Sequence, residues 1–188
     1  MTDRGLAAPL TTAARAVSSM TALRAKPFAG SAASTGPDKP GLRADEFVTT
    51  NGNRWSAPGE PTIYLGSDPG VAIAEQGRHW AERGSTVALW TVEVRLQAVV
   101  DLRDAETRTV LWIPEEPTWV LDRDRCLELA RTVRRQGGFD GLLAPSAAFL
   151  DDPSRHNIVV FVDRLAPSLE STISVVGASH ALRVPTER

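Results

Sequence analysis

Residues 53–75 read NRWSAPGEPTIYLGSDPGVAIAE, and most of the fold class follows from how this stretch is parsed. Pro61-Thr62-Ile63-Tyr64-Leu65 carries the residue types of a strand. Ser67-Asp68-Pro69 then offers a capping side chain and a proline suited to a first helical turn. A helix is therefore predicted from there to about Arg83, stopping at Gly84. Loop, strand and capped helix stand in immediate succession, with Arg54, Tyr64 and Glu75 distributed among them.

Toward the N-terminus, residues 1–22 are rich in Ala, Thr and Ser. Leu10, Ala14, Val17 and Met20 recur at helical spacing, which predicts either a short amphipathic helix or a frayed extension. Residues 26–59 read as loops, with Phe47-Val48-Thr49 as a short strand. Toward the C-terminus, 86–96 and 98–102 read as two strands rich in Val, Leu and Trp. Asp122 is placed to cap a helix running through Leu127, Leu129, Ala130 and Val133 to Gly137-Gly138. Strands are predicted at 139–143, 157–162 and 171–176. Strands outnumber helices, and most connections are too short for regular crossovers. The expected fold is a mixed α+β domain with a largely antiparallel sheet flanked by a few helices, built from residues 23–188 behind an extension at 1–22.

The chain has 188 residues, enough for a real hydrophobic core in one domain. A hydrophobic share of 42%, a charged share of 23% and 13 prolines fit an ordinary soluble, loop-rich protein. A formal net charge of -2 provides no general pull toward nucleic acid or an anionic membrane. Cys126 is the single cysteine, which excludes an internal disulfide and zinc held by several thiolates. It is expected as a small buried hydrophobe in a reducing compartment. No stretch is apolar enough to span a bilayer, and the N-terminus lacks the apolar core of a secretory signal. The cytoplasm is the expected location.

Several signatures are missing: no GxGxxG, no phosphate-loop glycine run, no HExxH and no GxSxG. Ser146, His156 and an aspartate could be assembled into a hydrolase triad, but such loose sets are common. Glu75 admits two readings. On its helix, Ile73, Ala74, Gly77, Trp80 and Ala81 form the apolar arc, while Glu75 shares the other side with Val71, Arg78 and Glu82. Water or a cleft could lie there. Arg54 precedes Trp55, so its guanidinium can lie on the indole or clamp an anion bidentately. Tyr64 is the only tyrosine. Its ring belongs either to the core, with the hydroxyl on one partner, or to a pocket wall for a flat ligand. The five tryptophans are expected in the core and in cleft walls.

Arg54-Trp55-Ser56-Ala57-Pro58-Gly59, Ile63-Tyr64-Leu65 and Ala72-Ile73-Ala74-Glu75 together resemble the RES-domain family, named for an arginine, a glutamate and a serine. Its serine is matched by Ser146 in Phe139-Asp140-Gly141-Leu142-Leu143-Ala144-Pro145-Ser146, ahead of Asn157-Ile158-Val159-Val160-Phe161. Leu23-Arg24-Ala25 resembles the family's early arginine segment. The match covers residues 23–162, with Asn53 standing where the family usually has glycine. The resemblance implies an ADP-ribosyltransferase-like fold and a toxin that destroys NAD at its nicotinamide–ribose bond, by water or by phosphate. It implies catalytic Glu75, Arg54 and Ser146, with Arg54, Tyr64 and Arg24 binding NAD. NAD would be substrate, with no cofactor and no metal. The implied partner is an Xre-type helix-turn-helix antitoxin; self-association is left open. An ADP-ribosyltransferase acting on a protein or other acceptor, or a non-catalytic binding domain on the same fold, are the alternatives.

Overall fold

The computed structural model describes residues 14–27, 48, 50–80, 86–165, 169–175 and 180–183. Its elements in chain order are β1 (Ala14–Pro27), β2 (Thr62–Gly66), α1 (Pro69–Trp80), β3 (Thr86–Asp101), α2 (Ala105–Val110), α3 (Arg123–Gln136), β4 (Gly141–Pro145), β5 (His156–Phe161), α4 (Leu169–Thr172), β6 (Ile173–Val175) and β7 (His180–Arg183). A 3₁₀ helix, Pro117–Leu121, precedes α3. The architecture is the mixed α+β sheet that the pattern predicts.

Pairing runs β1-β2-β5-β4-β3, and β3 pairs again with β1, so the sheet curls back on itself. The closure between β1 and β2 is a single bridge, Leu23 opposite Gly66. One edge of β3 lies along β1, while β7, β6 and β4 occupy successive stretches of the other. Among the described strands only β3 and β4 run parallel; the crossover between them carries α2 and α3, as a parallel pair requires.

Three predictions need correction. Residues 14–22, expected as a helix or frayed extension, are strand, and β1 runs unbroken across the expected boundary at 22/23. Residues 1–13, Phe47 and Thr49 lie outside the described residues. The two strands expected at 86–96 and 98–102 are one strand, β3. Its register against β1 jumps from Leu96 to Val99 while β1 advances only from Val17 to Arg15, so an extra residue bulges at 97–98. The Asp140 carboxylate accepts the backbone N–H of both Gln97 and Ala98, at 2.5 and 3.3 Å, which stabilises the bulge. Of the strand expected at 171–176, residues 173–175 form β6 while 171–172 end the short helix α4 and Val176 lies outside the described residues; β7 had no counterpart in the pattern.

The sheet's two faces carry separate cores. On one, Val100, Leu142, Val159 and Phe161 pack beneath Leu129, Ala130 and Val133 of α3, together with Trp55 and Trp119. On the other, Ile63, Leu65, Val94, Ile158 and Val160 pack with Leu169 and Ile173. Each such aliphatic side chain contributes about 1.5–3 kcal/mol by leaving water. Asp122 caps α3 by accepting from Arg125 N, and Gly137, at φ 72°, ends it. Cys126 is fully buried in this layer, as expected. Trp112 departs from the expectation for tryptophans: it is 83% exposed and holds a positive φ of 55°. Among the described residues no helix is long and apolar enough to cross a membrane.

Candidate active site

β2 and α1 carry the site. Asp68 Oδ1 accepts from Val71 N at 3.1 Å, capping α1 as the sequence predicts. Arg155 donates to both oxygens of Asp68 and holds that carboxyl below its usual range. The helix turns back sharply over Gly66. A Cβ there would sit 2.5 Å from Ala72 N and 3.0 Å from Ala72 Cα, so only glycine permits the approach.

That close docking decides which way Glu75 faces. Val71 is fully buried and Ala72 nearly so, whereas Ile73 and Ala74 are only half-buried. Among the described side chains, the most buried side of α1 is therefore the one through Val71 rather than through Ile73, while Gly77, Trp80 and Ala81 of the predicted arc lie outside them. Glu75 stands one helical turn after Val71, on the same side, and faces the protein. Its partners come from the far end of the chain. Glu75 Oε1 accepts from Ser146 Oγ at 2.7 Å, from Ala147 N at 2.9 Å and from Asn157 Nδ2 at 3.1 Å. Ser146 is fully buried at the end of β4. Its hydroxyl holds Glu75 and also accepts from Ala148 N at 3.2 Å.

Tyr64 lies on the same sheet face. It pairs with Val159, and two residues on Gly66 pairs with Asn157, so Tyr64 and Asn157 are diagonal neighbours. The Tyr64 hydroxyl accepts from Trp55 N at 3.2 Å and shares a hydrogen bond with Ser56 Oγ at 3.1 Å. Burial pushes the phenol up to about 12, against the smaller opposing effects of those two bonds. The hydroxyl is thus committed to the loop that carries Arg54, and the ring is what Tyr64 presents. Trp55 meets Trp119 edge-on at 6.2 Å, fixing this loop against the core.

Arg54 Nη1 donates to the Val120 carbonyl. The Cys126 thiol donates to the same oxygen at 3.4 Å, and burial pushes it up to about 11 despite the guanidinium beside it. Five N–H donors in a fixed fork let Arg54 be anchored at one nitrogen and still present others. Arg24 lies in β1 opposite Trp90, next to the Leu23–Gly66 bridge. The structure thus brings Glu75 and Ser146 into direct contact and joins Tyr64 to the Arg54 loop, while Arg54 itself bonds to Val120 rather than to Glu75. His156 belongs to a different environment. Its Nδ1 bonds the Ser154 carbonyl at 2.7 Å, and burial holds its pKa below the usual value.

Asn157 and the Ala147 N–H are site groups that sequence reasoning missed. Asn157 did carry a signal: a lone amide opening an otherwise apolar strand, since polar residues in buried strands require partners. A backbone N–H carries none. Among the described residues no cluster of three or more His, Cys, Asp or Glu side chains is placed to hold a metal ion.

The family model for the RES domain matches residues 20–184, and the chain belongs to that family. Among solved structures it is similar to the crystal structure of the M. tuberculosis MbcT–MbcA toxin–antitoxin complex. That match has a TM-score of 0.65 and 19% sequence identity, covering 96% of this chain and 93% of the other. At that identity the likeness concerns the fold. No curated protein matches the chain in sequence.

Proposed function

We propose that this RES-domain chain is a toxin that degrades NAD by breaking the nicotinamide–ribose bond, and that a cognate antitoxin of the Xre helix-turn-helix type neutralises it in the cytoplasm. The observation that carries the reading is the Glu75 carboxylate held by three donors on one oxygen. Cleavage of the C–N bond passes through an oxocarbenium-like state at the ribose, as glycoside cleavage does. The bonding electron pair leaves with the nicotinamide nitrogen, which departs neutral. Water or phosphate then bonds to the anomeric carbon; with water, one proton is released.

A preorganised carboxylate stabilises the developing positive charge or orients the incoming nucleophile. Arg54 supplies the guanidinium for the pyrophosphate oxygens, with Arg24 as a second cation for the same end. The Tyr64 ring walls the nicotinamide, and Ser146 acts through Glu75. NAD is consumed, so no resident cofactor or metal is invoked, and phosphate is a co-substrate in the phosphorolytic form. The toxin–antitoxin complex that shares this fold supports the partner assignment.

The test is incubation of purified protein with NAD, with and without phosphate, following nicotinamide release and the ribosyl product. Wild type should release nicotinamide and Glu75→Ala should lose about a hundredfold or more in rate. Unchanged release by Glu75→Ala would sink the role given to Glu75. Label transferred to a protein would identify an ADP-ribosyltransferase, and no release under any condition would indicate a binding domain.

A further inference from the structure

We propose that Asn157 is a positioning residue that selects which oxygen of Glu75 works on the substrate, an inference that rests on the NAD-cleaving reading above. All three donors described on Glu75 converge on Oε1. One carboxylate oxygen offers about two lone-pair directions, so three donors saturate it. Among the described residues no donor reaches Oε2, which is left as the oxygen presented to the ribose.

The three donors are not equivalent. Ser146 Oγ and Ala147 N belong to consecutive residues of one turn, so together they fix where Oε1 sits. The terminal torsion of a glutamate is broad, and two donors from one direction leave the carboxylate plane free to swing about that oxygen. Asn157 approaches from a different strand and removes this freedom. Its amide cannot be reversed, because a carboxylate only accepts and Nδ2 must face it.

The ladder around Asn157 is built to admit Glu75. Asn157 stands opposite Gly66 in β2 and Ala144 in β4. These flanking positions carry no side chain and a single methyl, so the space above the strand stays open for the glutamate of α1. Gly66 also permits the helix to approach. One glycine thus serves both the carboxylate and its amide partner.

Steady-state nicotinamide release from NAD by wild type, Asn157→Ala and Asn157→Asp tests the proposal, alongside thermal unfolding of each. Loss of one hydrogen bond to a charged group predicts that Asn157→Ala lowers kcat about ten- to a hundredfold, with KM for NAD within about twofold of wild type. Asn157→Asp keeps the shape but opposes one carboxylate to another, so its kcat should fall further. A merely structural amide would instead lower the folded fraction, leave kcat per folded molecule intact and make Asp no worse than Ala; that result overturns the proposal. The Asn157 side-chain amide resonance, followed by NMR in labelled wild type and Glu75→Ala, gives a readout independent of turnover. It should move when the carboxylate is removed. If wild type leaves NAD intact, the NAD reading fails, and this resonance still decides whether Asn157 holds Glu75: a resonance that does not move overturns the clamp.

Discussion

Tyr64 is the only tyrosine in the chain, so alkaline titration of the folded protein reads one residue. Its phenol is raised from 10.0 to about 12, chiefly by burial. Between those two values the folded protein keeps a proton that the unfolded chain has released. The contribution to stability is therefore full below pH 10 and is lost as pH rises through about 12. Two pH units at about 1.4 kcal/mol each make about 3 kcal/mol. Near-ultraviolet tyrosinate absorbance, recorded with circular dichroism to confirm that the fold persists, should rise well above pH 10 in the native protein. In denaturant it should rise near 10. Tyr64→Phe should lack the band, and its stability should fall less steeply across the same range; the Cys126 thiol, raised to about 11, titrates equally in both proteins. At neutral pH the same substitution strands the buried Trp55 N–H, which costs about 1–3 kcal/mol, or several degrees in Tm for a chain of this size. A native titration centred near 10 would refute the account. The hydroxyl would then be open to solvent rather than committed to Trp55 and Ser56.

Gly66→Ala should impair stability and nicotinamide release together, because its methyl would stand 2.5 Å from Ala72 N and push α1, with Glu75, off the sheet; thermal unfolding and release kinetics on one preparation check this. Arg134 is 4% exposed and pairs with Asp163, donates to Thr62 Oγ1 at 2.6 Å and lies 4.0 Å over the Phe161 ring. Asp163→Ala takes the nearest carboxylate from a buried guanidinium and leaves it Thr62 and the more distant Glu60 at 3.8 Å, whereas Arg134→Met leaves a carboxylate that is 37% exposed and can hydrate. Asp163→Ala should therefore be the more damaging by about 1–2 kcal/mol in denaturant unfolding, and the reverse order would refute the assignment of burial to the arginine.

How much of this was legible depends on how local the determining interactions are. Asp68-Pro69 and Asp122 announce their helices because a cap acts within three residues. The apolar strand at 157–162 is equally local, and the order of Arg54, Tyr64, Glu75 and Ser146 carried the family resemblance. The facing of α1 was not legible: periodicity averages over the whole helix, whereas one close approach at Gly66 puts Val71 and Glu75 against the protein. The unity of β3 was hidden because its bulge is satisfied by Asp140, 42 and 43 residues away. β1 was hidden because small residues hold no strong local preference, and the long partner strand imposes the extended state. Asn157 stood in the family resemblance only as the start of an apolar strand, and its role showed once a helix 82 residues earlier supplied its acceptor.

The donors that hold Glu75 lie 71, 72 and 82 residues further along the chain. Synthesis proceeds from the N-terminus at about 5–20 residues per second, so the glutamate is made several seconds before the groups that aim it. Every nascent chain passes through an interval in which the carboxylate exists but cannot be set. Fragments released from the ribosome before Asn157 is added therefore carry the glutamate without its aim.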